Sequence, residues 1–215
     1  MSRLTALQQR VLVVLARNLT APWVLTGGAA LGGFYTMHRS TRDLDITPGD
    51  RRTLGNLPGE VHRCLVEDGL RVELHRVQRE HCQLTVRDGH ESVLVELVAG
   101  WSPPSEAPRI LRLGDQSIHV EAQHELLVRK LMALFDRSEP RDLDDVRALL
   151  DIGGDLSRAL TDASHAFSGL TAATLGANLD SLPLTRLAGV VGWSTEKTLA
   201  MEAFRLDLAR RLHEP

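Results

Sequence analysis

The spacing of hydrophobic and polar positions changes its period along the chain, and each change marks a different kind of element. Hydrophobic residues recur at helical spacing near the N-terminus, which predicts a helix over residues 3–17. Residues 23–46 follow the pattern of a strand, a glycine turn, a helix of small residues and a second strand. Between residues 71 and 98 hydrophobic and polar positions alternate, with a hairpin signal at Asp88-Gly89, so a meander of three further strands is expected.

The segments on either side of this meander are predicted as short elements. Residues 50–56 and 60–68 are typical of two short helices separated by Leu57-Pro58-Gly59. A Pro- and Ser-rich loop at residues 100–108 precedes a second hairpin over residues 110–120. The first 120 residues therefore have the pattern of a mixed α/β part.

The last part of the chain is predicted to be helical throughout. We predict a mixed α/β core over residues 1–120 and an all-helical part over residues 121–215, which together make an α/β protein. The candidate helices lie at residues 122–135, 141–151, 155–166, 170–178, 184–191 and 195–212.

Composition and charge exclude some classes of protein. The chain has 215 residues and a formal net charge of −3, so no global positive field indicates nucleic-acid binding. Cys64 and Cys82 lack the spacing of a metal site and are expected to be reduced thiols or core filler. No hydrophobic run approaches the ~20 residues that a membrane helix needs, and a cytoplasmic protein is expected.

Asp43 and Asp45 are the first candidates for chemistry. They flank Leu44, and residues two apart in a strand point to the same face, so the two carboxylates are expected side by side. Two such carboxylates repel each other unless a cation lies between them, and hard oxygen ligands suit Mg²⁺. The alternative is an Asp-rich turn, which fits the flanking Leu44 and Ile46 poorly.

Gly27 and Gly28 precede a predicted helix and would let the backbone approach a triphosphate. Thr26 lies beside this turn and could contact phosphate as well. A plain tight turn without a ligand is the alternative. The chain has no Gly-Lys-Ser/Thr sequence here, so a P-loop is excluded.

A third carboxylate is expected from Glu96, which interrupts the hydrophobic run of residues 93–98. A central strand seldom tolerates an unpaired carboxylate, so Glu96 either faces the metal site or pairs with a cation. An outward position on an edge strand is a further alternative.

Lys130 lies on the hydrophobic stripe of its predicted helix, where a cation needs a partner. A snorkelling lysine whose head reaches water is the alternative. Asp142 and Asp145 begin the next helix, where acids also suit the helix dipole. An acid at either position could pair with Lys130, with Arg137 or with Arg141, and Asp144 is expected to be solvated.

Two blocks of sequence together resemble a known family. The first is Gly27-Gly28, a helix, and the run Arg39-Ser40-Thr41-Arg42-Asp43-Leu44-Asp45; the second is Lys130, Arg137 and the run from Arg141 to Asp145. Both blocks are similar to the nucleotidyltransferase superfamily, and within it to AbiEii/AbiGii-type toxins of type IV toxin–antitoxin systems, the MenT-like group. The resemblance covers residues 20–150.

This resemblance implies a fold and a reaction. The implied fold is a nucleotidyltransferase-like mixed sheet with flanking helices, followed by an all-helical part that completes the active site. The implied reaction transfers a nucleoside monophosphate from an NTP to an RNA acceptor, such as the 3′ end of tRNA, and releases pyrophosphate. It also implies a cognate antitoxin as partner.

The resemblance assigns roles to residues of both blocks. Asp43 and Asp45 would hold Mg²⁺ or Mn²⁺, and the loop before them would contact the nucleotide phosphates through Arg39 and Thr41. The alternative is that Arg39 and Arg42 are counter-ions of the two acids or are solvated. Lys130 would contact the nucleotide. Asp142 and Asp145 occupy the positions that carry function in the second block.

Three other functions share part of this pattern. A small-molecule nucleotidyltransferase of the aminoglycoside-modifying kind would have the same glycine turn and paired acids, but the second block argues against it. Transfer of the nucleotide to a protein hydroxyl uses the same chemistry. A non-catalytic nucleotide-binding protein is the third alternative, against which the intact Asp43 and Asp45 argue.

Overall fold

The computed structural model describes residues 3–50, 52–99 and 104–214, and the chain forms two compact units that divide between Ala122 and Gln123. The elements of the first unit are α1 (Ala6–Asn18), β1 (Trp23–Thr26), α2 (Gly27–Ala30) with the π-helical turn Leu31–Tyr35, β2 (Asp43–Pro48), α3 (Leu57–Glu67), β3 (Arg71–Val77), β4 (His81–Asp88), β5 (Glu91–Val98), β6 (Arg109–Leu113) and β7 (Gln116–Val120). The predicted fold class, a mixed sheet with flanking helices, is confirmed for this unit.

The described strands form one seven-stranded mixed sheet in the order β3-β4-β5-β2-β1-β7-β6. The predicted meander β3-β4-β5 is antiparallel and joins β2 through the parallel pairing of β5. The β6-β7 hairpin joins the opposite side of β1, again by a parallel pairing. β2 and β5 are therefore central strands, and residues on them are held by neighbours on both sides.

The core of the first unit lies on one face of this sheet. Leu44, Ile46, Leu84, Val95 and Leu97 are fully buried, and each alternates with a half-buried residue that points to the other face. Because side chains alternate across a strand, the polar residues of β2, β4 and β5 gather on the opposite face.

Helix α1 is anchored at its start by a capping box. Thr5 accepts a hydrogen bond from the Gln8 N–H at 3.1 Å, and Gln8 Oε1 accepts one from the Thr5 N–H at 2.9 Å. Gln8 is buried, and its Nε2 donates to the Thr41 carbonyl at 3.1 Å. The first turn of α1 thereby holds the loop that leads into β2.

The two cysteines lie in the core of the first unit. Both Cys64 and Cys82 are buried free thiols, and burial raises the pKa of each thiol. This position agrees with the expectation of reduced thiols that fill the core.

The second unit is all-helical, as expected. Its helices are α4 (Gln123–Arg137), α5 (Pro140–Asp151), α6 (Leu156–Ala166), α7 (Ala172–Ser181), α8 (Leu184–Val190) and α9 (Thr195–His213). α4 packs against α5 and α6, and α7 packs against α9. Leu126, Leu127 and Leu131 from α4 are fully buried together with Leu143 and Val146 from α5.

One predicted helix is wrong. The described residues between 50 and 56 form turns and bends, and Leu57-Pro58-Gly59, expected as a linker, is the start of α3. Proline suits the first turn of a helix because the amide hydrogen that it lacks has no partner there. Arg51 and residues 100–103 of the predicted loop lie outside the described residues.

Across the described ranges, no helix has the length and apolar character that crossing a membrane would require.

Candidate active site

Asp43 and Asp45 lie on one face of β2, as the spacing predicts. Both carboxylates are half-buried, whereas Leu44 and Ile46 between and beyond them are fully buried on the opposite face. The segment is a central strand, so the alternative of an Asp-rich turn is excluded.

Gly27 places the glycine turn directly against Asp45. Gly27 follows β1 with φ +64°, and Thr26 pairs with Asp45 across the two strands. A Cβ atom at Gly27 would lie 1.9 Å from Asp45 Oδ2, a distance that no real contact allows. Only glycine therefore permits the carboxylate to stand beside this turn.

Gly28 meets the loop that precedes β2. A Cβ atom at Gly28 would lie 3.0 Å from Thr41 Oγ1 and 3.3 Å from an Arg39 guanidinium nitrogen. The structure thus brings both glycines, Arg39, Thr41 and Asp45 to one place. A phosphate group near this turn would meet backbone N–H groups, a guanidinium and a hydroxyl.

Glu96 lies beside Asp45 on the neighbouring strand. The parallel pairing of β2 and β5 sets Glu96 opposite Asp45, and Gln83 Nε2 donates to Glu96 Oε1 at 2.9 Å. Glu96 is half-buried on a central strand, which excludes the edge-strand alternative. The role of Glu96 as a third metal ligand stays a prediction.

The residues present suit Mg²⁺. Mg²⁺ in nucleotide sites is held by one or two carboxylates together with substrate phosphates, and Asp43 and Asp45 supply two carboxylates on one face of β2, with Asp45 against the glycine turn. Within the described ranges, three or more His, Cys, Asp or Glu side chains nowhere gather closely enough to hold a metal ion alone. The oxygens of the triphosphate would complete the ligand set.

Thr26 has a buried partner that the sequence did not reveal. Its hydroxyl donates to Glu121 Oε2, and Glu121 is fully buried immediately after β7. The Glu121 carbonyl also accepts a hydrogen bond from Tyr35 Oη at 2.8 Å, and burial raises the pKa of Tyr35. Glu121 therefore ties the end of β1 to the π-helical turn. The acid directly after the strand-forming run 118–120 was the available signal for this residue.

Lys130, Asp142 and Asp145 form a buried charge cluster in the second unit. Lys130 Nζ lies 2.8 Å from Asp145 Oδ2 and 3.3 Å from Asp142 Oδ1, and both carboxylates are fully buried. Lys130 is itself only 8% exposed, so the snorkelling alternative is wrong. Both acids, rather than one of them, hold the lysine.

Arg137 completes this cluster. Its Nε and a terminal nitrogen donate to the two oxygens of Asp142 at 2.7 Å and 2.9 Å, a bidentate geometry. The hydrogen bond to Asp142 raises the pKa of Arg137, so the guanidinium stays charged. Arg141, the other candidate partner, pairs with Glu139 at 3.0 Å.

The expectation that Asp144 is solvated is wrong. Asp144 is buried and accepts a hydrogen bond from Lys197 Nζ at 2.6 Å. Lys197 begins α9, which packs on α5, so a partner distant in sequence covers this acid. His124 in α4 is also buried, and its Nε2 lies 2.7 Å from Asp162 Oδ2.

Comparison with known proteins places the chain in a family. The model of the family described as "Nucleotidyl transferase AbiEii toxin, Type IV TA system" matches residues 10–211. No curated protein matches the chain by sequence.

Solved structures share the fold at low sequence identity. JHP933 from Helicobacter pylori is 19% identical with a TM-score of 0.57, over 97% of this chain and 91% of that chain. MenT4, a nucleotidyltransferase toxin from Mycobacterium tuberculosis H37Rv, is 16% identical with a TM-score of 0.59, over 97% and 82%. An antigenic nucleotidyltransferase-like protein from Paracoccidioides brasiliensis is 18% identical with a TM-score of 0.53, over 86% and 90%.

Proposed function

The chain belongs to the AbiEii family of nucleotidyl transferase toxins of type IV toxin–antitoxin systems, and from this membership we propose that it transfers a nucleoside monophosphate from an NTP to RNA. The proposed acceptor is a terminal hydroxyl, such as that at the 3′ end of tRNA. The proposed leaving group is pyrophosphate, and the proposed cofactor is Mg²⁺ or Mn²⁺. Since NTPs and RNA are cytoplasmic substrates, we place the reaction in the cytoplasm.

The contact between Gly27 and Asp45 supports this proposal most strongly. A turn that tolerates only glycine lies against a carboxylate of a paired-acid strand, with Arg39 and Thr41 beside Gly28. An arrangement that served only to make a tight turn would not need a carboxylate pressed against its Cα atom. A triphosphate with a bound cation accounts for the glycines, the cationic loop and the acids together.

The residues of the first unit have separate tasks in the proposed reaction. The N–H groups that follow Gly27 and Gly28 bind the triphosphate, and Arg39 and Thr41 orient it from the preceding loop. Asp43 and Asp45, with Glu96 beside them, would hold the cation. When bound, Mg²⁺ supplies positive charge that offsets the charge of the triphosphate as it reacts.

The chemical step is an in-line substitution at the α-phosphorus. The acceptor hydroxyl gives its proton to water and its oxygen bonds to the α-phosphorus, while the bond from that phosphorus to the pyrophosphate oxygen breaks and pyrophosphate leaves. The protein contributes mainly by positioning the two substrates and by electrostatic stabilisation.

Lys130 is proposed as a nucleotide-contacting cation of the second unit, with Asp142 and Asp145 as the residues that fix its position. Both acids contact its ammonium group, and Arg137 balances the second carboxylate of the cluster. The cluster is formally neutral, so neither buried carboxylate is left without a cation beside it.

Partner chemistry follows from the family. A type IV toxin has a cognate antitoxin, and a nucleotidyltransferase uses an NTP. RNA as acceptor is the part that we propose.

The test is transfer of label from each α-labelled NTP, with Mg²⁺, to total cellular RNA. The wild type would be compared with Asp45→Asn and with the control Asp50→Asn, which changes an exposed acid in the turn after the same strand. We expect labelled tRNA with the wild type and the control, and a loss of about 10²–10³-fold with Asp45→Asn.

Two other outcomes would overturn the proposal, and each would point to one of the alternative functions. Label on a small molecule or on protein instead of RNA would identify one of the alternative acceptors. Binding of NTP without any transfer would indicate a non-catalytic nucleotide-binding protein.

A further inference from the structure

The first unit has an open cleft of about 410 Å³ whose lining includes Asp43. Its other polar lining residues include Thr41, Arg42, Thr85, Arg87 and Ser92, from the loop before β2 and from strands β4 and β5. This volume lies within the range of ~300–1,000 Å³ that is usual for small-molecule sites. Thr41 belongs both to the cleft and to the proposed phosphate site, but Thr85, Arg87 and Ser92 lie on β4 and β5, beyond β2 from the glycine turn, and the proposed phosphate contacts do not include them.

The glycine turn and the part of the cleft formed by β4 and β5 lie on opposite sides of β2. Gly27 follows β1, which pairs with one side of β2, whereas the cleft extends over β5 and β4 on the other side. Asp45 faces the turn, and Asp43 faces the cleft. Because Asp43 and Asp45 lie on the same face of β2, the two acids stand between the glycine turn and the cleft, and Thr41 borders both.

An in-line reaction needs its two substrates to reach the α-phosphorus from opposite sides. The attacking oxygen and the leaving pyrophosphate lie on opposite sides of the α-phosphorus. With the leaving group at Gly27 and Gly28, the acceptor hydroxyl approaches from the side of β5 and β4, where the cleft opens.

The chemistry of the lining favours a phosphodiester strand. Two arginines, Arg42 and Arg87, line a cleft in a chain of net charge −3, so the local positive charge is not part of a general basic surface. The ion pair of Arg87 with Glu73 is long, at 3.7 Å between half-exposed side chains, and a phosphate could replace it at little cost. The described residues that line the cleft include no aromatic side chain, so base stacking does not contribute there.

We propose that this cleft binds the acceptor RNA through its backbone phosphate, with Arg87 as a phosphate-positioning residue and Thr85 and Ser92 as hydroxyl partners. Binding at this point sets the terminal hydroxyl beside Asp43. Because the contacts are to the backbone, the cleft selects a nucleic acid strand and leaves the base sequence unread. This inference rests on the proposed transfer to RNA and names the surface that holds the RNA.

The experiment measures binding of a fluorescent single-stranded oligoribonucleotide to the full chain at several salt concentrations. The variant is Arg87→Ala, and the matched control is Arg112→Ala, an exposed arginine on β6 at the opposite edge of the same sheet. We expect Arg87→Ala to raise Kd about tenfold and to make the slope of log Kd against log salt concentration shallower by about 0.7. Arg87→Lys retains the charge and should fall between wild type and Arg87→Ala, while Arg112→Ala should match wild type.

Labelling of RNA by the same proteins separates this inference from the proposed function. If the wild type labels RNA and Arg87→Ala has unchanged Kd and unchanged KM for RNA, the cleft assignment is wrong and the proposed function stands. If Arg87→Ala weakens RNA binding but the wild type labels no RNA, the proposed function is wrong and the cleft remains an RNA-binding surface. If the wild type labels RNA but does not bind the oligoribonucleotide, the cleft assignment is wrong and the proposed function stands; if it neither labels RNA nor binds the oligoribonucleotide, both are wrong. Thermal unfolding of each variant checks that the first unit is intact.

Discussion

Gly27 is constrained at the residue scale in two independent ways. Its φ of +64° lies in the left-handed region, and its Cα atom stands against the carboxylate of Asp45. The sequence could indicate the first constraint, because Gly-Gly after a hydrophobic run is a turn signal. It could not indicate the second, since that contact depends on the register in which β1 pairs with β2.

The two constraints can be separated by substitution. Gly69 has φ +82°, and among the described residues no atom lies within 4 Å of the place that a Cβ atom would take, so Gly69→Ala introduces backbone strain alone. We expect Gly69→Ala to destabilise the protein by about 1–2 kcal/mol and to leave nucleotidyl transfer near wild type. Gly27→Ala carries the same strain and also displaces Asp45, so its transfer rate should fall at least about 10²-fold beyond that control.

Transfer rates and thermal unfolding of both variants decide the question. A Gly27→Ala enzyme that is as active as Gly69→Ala would mean that the position of Asp45 does not matter for the reaction.

The buried cluster around Lys130 shows a different limit of sequence analysis. The helical spacing correctly indicated that Lys130 lies on a buried stripe and needs a partner. Spacing could not decide between Asp142 and Asp145, because the choice depends on how α4 packs against α5. In the structure both carboxylates reach the ammonium group.

Lys130→Met should therefore cost more stability than a lysine substitution elsewhere in the second unit. The change keeps the volume but leaves two fully buried carboxylates without this cation, so we expect a loss of about 3–5 kcal/mol. Lys197→Met is the comparison, because it leaves one buried carboxylate, Asp144, without this cation instead of two, and the partly exposed Lys197 position lets water approach, so a smaller loss of about 1–3 kcal/mol is expected.

Urea unfolding followed by circular dichroism measures both losses. Adding Asp145→Asn to Lys130→Met removes one of the buried charges and should recover part of the loss. Equal destabilisation by the two lysine variants would mean that the two buried carboxylates beside Lys130 do not make its loss more costly.

At the element scale, periodicity predicted the helices of the second unit and the strands of the first to within a few residues. Most of these elements carry hydrophobic residues that repeat with one period, although β3 is almost wholly exposed. The error at residues 50–56 arose in a short segment where propensity had no packing to support it, and where Pro58 suggested a break instead of a helix start. Contacts between distant elements, such as Lys197 with Asp144, were beyond any local pattern.

Helix α1 contacts the loop that carries Arg39 and Thr41 through the side chain of Gln8. Gln8→Ala removes the hydrogen bond to the Thr41 carbonyl and frees the loop that carries Arg39 and Thr41. We expect a loss of about 1–3 kcal/mol in stability and a several-fold higher KM for NTP. Gln9→Ala is the matched control, because Gln9 also bonds a carbonyl, that of Leu4 at 3.0 Å, without contacting this loop.

Steady-state kinetics with NTP as the varied substrate provide the measurement. If both glutamine variants raise KM for NTP equally, the effect comes from α1 as a whole and the Gln8 contact has no special role.

At the scale of the whole molecule, the two sequence blocks fall in different compact units. The glycines, Arg39, Thr41, Asp43, Asp45 and Glu96 belong to the unit that ends at Ala122, whereas Lys130, Asp142 and Asp145 belong to the unit that begins at Gln123. Family membership covers both blocks, since the match runs over residues 10–211. The sequence therefore predicted the fold and which residues belong to each block. The contact of Thr26 with Glu121 and the cleft beside Asp43 became visible only in the folded sheet.

The response of the full chain to its proposed ligands gives a test that does not require an acceptor. A ligand that binds the folded state stabilises it by RT ln(1 + [L]/Kd), about 2.7 kcal/mol when its concentration is 100 times Kd. A non-hydrolysable NTP analogue with Mg²⁺ should therefore raise Tm by several degrees, whereas Mg²⁺ alone should change it little because two carboxylates without phosphate oxygens bind the ion weakly.

The variant Asp43→Asn removes one proposed ligand and should abolish most of this shift, while Asp50→Asn, which changes an exposed acid, should retain it. A shift that persists in Asp43→Asn, or that is equally large with chelator in place of Mg²⁺, would show that the nucleotide binds without the metal held by this strand. In that case the paired acids would have to act on the acceptor side, at the cleft that Asp43 already lines.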